Sequence, residues 1–259
     1  MSDPDKENLS EGTLISHLLE LRDRLMKAFA ALFIFFAPAI YFRNEIFSFL
    51  AQPLLDQLQV GTTMIATSVV SSFTAPLKLA FFAALFAAMP YILAQLWGFV
   101  SPGLYRKEKR FAVPLLVSSI LLFYVGVAFA YFFVLPKAFS FFVKAAPSGV
   151  TVTPDINIYL DMALGWFLAF GVAFEVPVVV VLLTLTGLVT VEKLAQSRGY
   201  VIIGIFVVAA VLTPPDVLSQ CLMAIPMWLL FEAGLLFSRI LNRKPKDGAS
   251  DTGSAESKA

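Results

Sequence analysis

One long apolar segment with a carboxylate deep inside it, and a second, Asp161, at its edge, constrains the fold of this chain most strongly. Residues Tyr159–Gly187 read YLDMALGWFLAFGVAFEVPVVVVLLTLTG, and about 20 such residues at about 1.5 Å each suffice to cross a bilayer. Glu175 lies deep inside this segment, and Pro177 follows it, which frees a carbonyl and predicts a kink. An ionisable group at that depth costs roughly 2.5–3.5 kcal/mol on insertion scales. The chain therefore either uses Glu175 or hides it against a partner.

Apolar blocks of this kind recur along the chain, which is 59% hydrophobic over 259 residues. They predict an all-α membrane protein with six transmembrane helices. The predicted spans are Ala28–Phe42, Ala75–Val100, Phe111–Leu135, Tyr159–Thr186, Tyr200–Thr213 and Val217–Phe237. The turn Thr213-Pro214-Pro215-Asp216 joins the last two, and we expect the fifth and sixth spans to be short. The fifth, at about 14 residues or roughly 21 Å, falls short of a hydrocarbon core of about 30 Å and predicts local thinning of the bilayer.

The charges predict the orientation. Most of the 19 lysines and arginines lie in the two termini and in the connections after the second and fourth spans, which places both termini in the cytoplasm by the positive-inside rule. We expect residues 1–12 and 241–259 to be disordered cytoplasmic tails and residues 13–240 to form one membrane domain. The two long opposite-side connections, Asn44–Thr74 and Pro136–Ile158, predict a structured cap with a short helix at Ile46–Leu58, although ordinary loops are the alternative.

Composition argues against several function classes. The net charge is +1, and the chain has one cysteine, one histidine and no GxxxxGK[ST] loop, so we expect no disulfide, metal site, cofactor or nucleotide hydrolysis. Cys221 and Ser219 have no histidine on their side of the membrane and are interpreted as structural, which disfavours an intramembrane hydrolase. From the polar, mixed-charge start of the sequence we expect no removable signal peptide.

Two charged segments are candidate binding surfaces. Thr13–Lys27 predicts an amphipathic helix at the membrane surface. Its spacing favours a Glu20–Arg24 pair within the helix, and the alternative is that Glu20 faces an external cation. The loop LYRKEKR around Glu108 has net charge +3; it fits a membrane anchor, and its basic residues would repel a cationic ligand.

Polar residues within the spans are the other candidates. Glu175 is either a structural hydrogen-bonded carboxyl or a group used in transport, proton handling or partner docking. Thr213 and Gln220, near the ends of the last two spans, could join it in a polar patch. A secondary transporter with Glu175 as its coupling carboxylate is the rival class, but residues 28–135 and 159–237 lack the matching half-repeats that such carriers often show.

Seven motifs occur in a definite order: HLLELRDRL, TAPLKL, SPGLYRKEKR, PLLVSSILLFYVGVAFAYFFVLP, FGVAFEVPV, LTPPDVLSQ and AIPMWLLFE. With them the chain resembles the TatC family, the large multi-spanning subunit of the twin-arginine protein translocase, over about residues 13–240. The resemblance implies a concave, glove-like six-span wall in the bacterial cytoplasmic (inner) membrane, with both termini cytoplasmic. One departure is that SVVSSFTAP lacks the acidic residue that the family often carries there, so no role is transferred to that loop.

The resemblance also implies a function. The family receives the Arg-Arg pair of signal peptides on folded cargo, self-associates in its receptor complex, and works with single-span TatA and TatB subunits on the proton gradient, without enzymatic activity. By motif, Glu20 and Glu108 would bind the arginine pair. The residues that would shape the same site are Arg22, Phe99, Leu104 and Tyr105. The matching polar positions for partner docking are Glu175, Thr213 and Gln220, and the matching outer-side motif positions are Pro53 and Asp216.

Overall fold

A computed structural model describes residues 4–58, 63–100, 112–147, 150–213 and 217–241, with side chains from residue 16 onward except those of residues 100 and 218. This part of the chain is helical, apart from an isolated bridge between Ile65 and Asp155. The helices are α1 (Pro4–Tyr41), α2 (Arg43–Leu55), α3 (Val69–Val100), α4 (Ala112–Phe129), α5 (Leu135–Lys144), α6 (Ile156–Ala173), α7 (Val176–Leu185), α8 (Val191–Gln196), α9 (Arg198–Leu212) and α10 (Val217–Leu241). The predicted all-α class is confirmed.

Five helical segments in the described residues are long and apolar enough to cross a membrane. They are Ser16–Tyr41, Val69–Phe99, Ala112–Lys144, Ile156–Leu185 and Ser219–Leu241. The fifth predicted span corresponds to α9, which has 15 residues and is short as expected. The prediction that the sixth span is also short is wrong, because α10 has 25 residues, or roughly 38 Å of helix. The number of spans, the orientation and the concave shape stay predictions.

The first helix is longer than the sequence indicated. The predicted surface helix Thr13–Lys27 and first span Ala28–Phe42 form one continuous helix, α1. Its backbone is helical from Pro4 and so includes most of the polar segment 1–12, whose disorder in solution stays a prediction; the tail from residue 242 on lies outside the described residues. A single helix rigidly couples the polar residues near its start to the span that follows.

The third span also extends beyond its predicted end at Leu135. A π-helical turn, Ala130–Val134, joins α4 directly to α5. In this wider turn the Leu135 N–H donates to the Ala130 carbonyl, which shifts the hydrogen-bond register immediately before Pro136. Proline would otherwise break an α-helix. The sequence prediction ended the span at this proline because it did not anticipate the π turn.

The two predicted cap connections contact each other. The Ile65 N–H donates to the Pro154 carbonyl at 3.0 Å, and the Ile156 N–H donates to the Ile65 carbonyl at 2.9 Å. The Asp155 carboxylate accepts from the Thr67 hydroxyl at 2.6 Å and from the Thr67 N–H at 3.0 Å, while its other oxygen caps the start of α6. Bonds from Thr67 and from the α6 N–H groups hold the pKa of Asp155 at about 2, below its usual range. The prediction of structured connections is confirmed.

Proline residues free helix carbonyls, and these carbonyls accept hydrogen bonds from tyrosine hydroxyls of other elements. Pro53 cannot donate to the Phe49 carbonyl four residues earlier, and the Tyr131 hydroxyl donates to that oxygen at 2.7 Å. In the same way, Pro90 frees the Phe86 carbonyl, which accepts from the Tyr124 hydroxyl at 2.9 Å. Pro53 is buried in α2, and the bond to the carbonyl that it frees helps attach this helix to the bundle. The sequence predicted the helix at Ile46–Leu58.

Small residues bring neighbouring helices together. Ala80, Ala84 and Ala88 on α3 are fully buried, and the first two pack against Leu32 of α1. This confirms the close approach that the alanine spacing predicts. On α4, a Cβ added to Gly126 would lie 2.5 Å from the Phe170 carbonyl oxygen of α6, so α4 and α6 meet at backbone distance.

Candidate functional site

The N-terminal part of α1 packs beside the C-terminal end of α3. The His17 ring stacks on the Phe99 ring, with centroids 4.2 Å apart and an interplanar angle of 21°. Glu20 and Arg24 lie three and seven residues after His17 on the same helix face. The structure therefore brings Phe99 and Glu20, two of the residues predicted to bind a ligand, to one helix junction.

At this junction Glu20 binds a guanidinium from its own helix. The Nε and Nη2 atoms of Arg24 donate to Glu20 Oε1 at 2.9 and 2.7 Å. The side chains of Arg24 and Glu20 are 26% and 36% exposed. The predicted Glu20–Arg24 pair within the helix is therefore confirmed, and Glu20 still has a solvent-accessible side.

A glycine on α3 provides the space for Arg24. A Cβ added to Gly98 would lie 2.2 Å from Nη1 and 3.0 Å from Cζ of Arg24. The guanidinium thus lies directly over the α3 backbone, next to the stacked Phe99 ring. Because no other residue type could leave this space, Gly98 is part of the junction, and the sequence analysis did not identify it.

The remaining predicted members of this site are placed differently. Arg22 donates to Asp23 through Nε and Nη2, at 3.0 and 2.8 Å, and both side chains are exposed. Leu104, Tyr105 and Glu108 lie outside the described residues. Their contribution to the site stays a prediction.

The second candidate site surrounds Glu175. The helix is interrupted at Phe174 and Glu175, between α6 and α7, next to Pro177. The Ser119 hydroxyl of α4 donates to Glu175 Oε2 at 2.5 Å, and it accepts from the indole N–H of Trp97 on α3 at 3.1 Å. Three separate helical segments thus fix the direction of one carboxyl group.

Ser119 and Trp97 were not predicted to be part of the Glu175 site. A signal was present, since Ser119 is a hydroxyl within the otherwise apolar run PLLVSSILLF, but nothing in one sequence indicates which helix it faces. Glu175 Oε1 is buried and has no hydrogen-bond partner among the described residues. The Glu175 residue borders a cavity of about 110 Å³. The cavity is lined by Leu93, Leu96, Trp97, Ser119, Glu175, Val178, Val179 and Leu182.

Thr213 and Gln220 belong to a different place. Thr213 is buried, and its hydroxyl donates back to the Ala209 carbonyl at 2.8 Å. The Gln220 amide donates to the Phe206 carbonyl of α9 at 3.2 Å. In the described part of the chain, no hydrogen bond joins either residue to Glu175, so the three do not form one hydrogen-bonded patch there. Asp216, between α9 and α10, lies outside the described residues.

These features define a class of protein, namely a polytopic helical membrane protein with one carboxylate at a helix junction near its N-terminus and another within the apolar bundle. Residues 16–226 match the family model of the Sec-independent protein translocase protein (TatC). The chain belongs to the TatC family, whose members are subunits of a protein translocase.

Individual relatives agree with this assignment. The chain is 53% identical to the Sec-independent protein translocase protein TatC of Azotobacter chroococcum mcd 1, over 96% of each chain. It is 52% identical to the TatC of Escherichia coli strain K12, over 87% of this chain and 88% of that one. A crystal structure of the twin arginine translocase receptor TatC superposes with a TM-score of 0.79 at 38% identity, over 88% of this chain and 100% of that chain.

Proposed function

We propose that this chain is the receptor subunit of a twin-arginine translocase in a bacterial inner membrane. It binds the Arg-Arg pair of signal peptides on folded proteins at its cytoplasmic surface. With TatA- and TatB-type single-span subunits, and with further copies of itself, it then exports those proteins using the proton gradient. Family membership supports the general role, and the two carboxylate sites support its separate steps.

The observation that carries the proposal is the guanidinium already bound to Glu20. Arginine presents several N–H donors in a planar fork that matches a carboxylate, whereas lysine presents a compact point charge. Glu20 accepts two such donors from Arg24 while it stays partly exposed beside Phe99. A carboxylate in these surroundings suits an external arginine, and Glu108, a short distance beyond α3 in the sequence, would supply the second acceptor.

The membrane topology in this proposal has six spans with both termini cytoplasmic. The five long apolar segments supply five crossings, and α9 supplies the sixth. With 15 residues, α9 reaches roughly 22 Å and would require the bilayer to thin around it. The concentration of basic residues on the side of Glu20 supports this orientation.

The single-span partners would dock against two intramembrane surfaces. One is the cavity beside Glu175, where Oε1 is an acceptor without a bond in the described part of the chain. The other is α9, whose exposed side chains include Ile203, Val207 and Val211. Thr213 and Gln220 would belong to this second surface, and Pro53 and Asp216 to the outer side.

Photocrosslinking tests the receptor role. An Arg-Arg signal peptide that carries a photoreactive residue beside its arginine pair should crosslink to this chain much more than the corresponding Lys-Lys peptide, because only a guanidinium matches both carboxylate acceptors. Glu20→Gln should weaken this crosslink strongly, whereas Glu192→Gln, which removes an exposed acid of α8, should not. If the crosslink is as strong in a Glu20→Gln protein as in the wild type, and the Lys-Lys peptide reacts equally, the receptor site is elsewhere.

A further inference from the structure

We propose that Arg24 is an internal competitor for Glu20. In the free receptor its guanidinium occupies the carboxylate that receives the signal peptide, and an incoming arginine has to displace it. This inference rests on the proposed function, because it concerns how the same site is regulated. It assigns to Arg24 the role of setting the affinity threshold above which a peptide engages.

The geometry of the Glu20 carboxylate supports this role, because Arg24 already occupies one of its two oxygens. Both donors of Arg24 bind Oε1 of Glu20, at 2.9 and 2.7 Å. A second guanidinium cannot form a two-oxygen fork with Glu20 while Arg24 holds Oε1. The two cations would also repel each other at contact distance. An incoming arginine therefore gains its full set of bonds only after Arg24 has left.

The Arg24 guanidinium can also separate from the Glu20 carboxylate. The pair is partly exposed, at 26% and 36% for the two side chains, so water can solvate both groups when they separate. Pairs of this kind, four residues apart on a helix, are weak. Gly98 has no Cβ to press on the far end of the Arg24 side chain, which favours a retained but exchangeable position.

The weakness of the pair sets the size of the effect. A competitor that masks the binding-competent state raises the apparent Kd by the inverse of the free fraction. For a partly exposed pair of this type, the fraction of Glu20 that is free of Arg24 makes the apparent Kd for the peptide about two- to fivefold higher than it would be without Arg24. Removal of the competitor should lower the Kd by that factor.

The experiment titrates an Arg-Arg signal peptide onto the full-length protein in lipid nanodiscs. Arg24→Gln should bind about two- to fivefold more tightly than the wild type. Lys27→Gln is the matched control, because it removes the same charge from the same helix at an exposed position. An Arg24→Gln protein that binds no more tightly than Lys27→Gln, or more weakly than the wild type, overturns the proposal.

A second variant displaces the guanidinium without changing its charge. In Gly98→Ala the new Cβ would collide with Nη1 of Arg24, and the flexible end of that side chain has to move. Tighter binding is expected here too, and unchanged or weaker binding contradicts the proposal. This variant keeps the test decisive if Arg24→Gln lowers the melting temperature.

The Glu20→Gln background separates this inference from the proposed function. Once Glu20 no longer binds a guanidinium, Arg24→Gln should give no gain in affinity. If Glu20→Gln alone leaves peptide binding unaltered, the receptor assignment of Glu20 fails. If Glu20→Gln weakens binding but Arg24→Gln does not strengthen it, the receptor assignment stands and the competitor role fails.

Discussion

Glu20 and Glu175 are both carboxylates, but their surroundings differ in almost every respect. Glu20 is partly exposed and bound by a flexible cation from its own helix. Glu175 lies at a helix break within the apolar bundle, and it is bound by a serine that a tryptophan in turn holds. In the described residues no ion pair involves Glu175. The first arrangement leaves a guanidinium that water can reach, whereas the second holds one carboxyl oxygen by a serine, in a residue that borders a small cavity.

The difference suggests a division of labour between the two sites. An exchangeable ion pair suits a ligand that arrives from water and is released again, because charged partners remain solvated on both sides of the exchange. A fixed carboxyl in apolar surroundings suits a partner that stays in the membrane, where interhelical hydrogen bonds contribute modestly. Three changes at the Glu175 site and its supports, and one at the contact between the two cap connections, would sharpen or break this comparison, and they are given from the largest expected effect to the smallest.

The largest effect is expected where α4 and α6 meet. In Gly126→Ala the added Cβ would lie 2.5 Å from the Phe170 carbonyl oxygen, so the two helices have to separate, which also pulls Ser119 away from Glu175. Overpacking of this kind costs about 1–3 kcal/mol. The matched control is Gly165→Ala, where nothing lies within 4 Å of the new Cβ. Thermal unfolding in detergent measures both, and equal melting temperatures would show that α4 and α6 are not tightly apposed.

The second prediction concerns Glu175 itself. Glu175→Leu should weaken association with the single-span subunits about three- to eighteenfold, because one interhelical hydrogen bond in a membrane is worth about 0.6–1.7 kcal/mol. Glu175→Gln retains an acceptor for Ser119 and should lose less. Signal-peptide binding should be unaltered in both. Normal export and normal partner association in Glu175→Leu would make the carboxyl a structural group and remove the division of labour.

The third change removes the support of Glu175. Ser119→Ala deletes the hydroxyl that joins Trp97 to Glu175, and we expect a loss of about 0.5–1 kcal/mol of unfolding free energy. Tryptophan fluorescence should change as the indole N–H loses its partner. Ser118→Ala is the control, because the Ser118 hydroxyl bonds the Leu115 carbonyl of its own helix. The same response in both variants would contradict the Trp97–Ser119–Glu175 connection.

The smallest effect is expected when acid protonates Asp155 and weakens the contact between the two cap connections. The pKa of Asp155 is lowered to about 2 by bonds from Thr67 and from the start of α6, whereas an unfolded aspartate titrates near 3.9. Its stabilisation is therefore fully present above about pH 4 and is lost as the pH falls through about 2. After correction for the intrinsic pH dependence of amide exchange, the protection of the Ile65 and Ile156 amides should decrease across that range. Asp155→Asn should show the same protection at each pH, and a pH-dependent protection in that variant would place the titrating group elsewhere.

Much of the fold was predictable because membrane helices follow from local composition. Apolar length predicted the long helices, and the alanine spacing on α3 predicted a close approach to a neighbouring helix, which the structure shows to be α1. The failures have local physical causes. The helix continues past Pro136, where the sequence predicted its end, because a π turn precedes this proline. Similarly, α10 continues past the predicted end of its span. The contact of Thr67 with Asp155 joins residues far apart in the chain, and no periodicity reveals such a pair.

The candidate sites were predictable to a lesser degree. Spacing alone predicted the Glu20–Arg24 pair, and the resemblance pointed to Phe99 beside it. Gly98, Ser119 and Trp97 were not identified, because their roles depend on which helices face each other. Thr213 and Gln220 were expected near Glu175 but bond within the α9–α10 pair instead. Depth in a membrane can be estimated from sequence, whereas position around the bundle cannot.

The central claim is that Glu20 receives a guanidinium from the signal peptide, and a double-mutant cycle tests it most directly. The four affinities needed are those of Arg-Arg and Lys-Lys peptides for the wild type and for Glu20→Gln, measured at one salt concentration. We expect the preference for arginine to fall at least fivefold in Glu20→Gln, a coupling of about 1 kcal/mol or more. An identical preference in both proteins would mean that Glu20 does not contact the arginine pair.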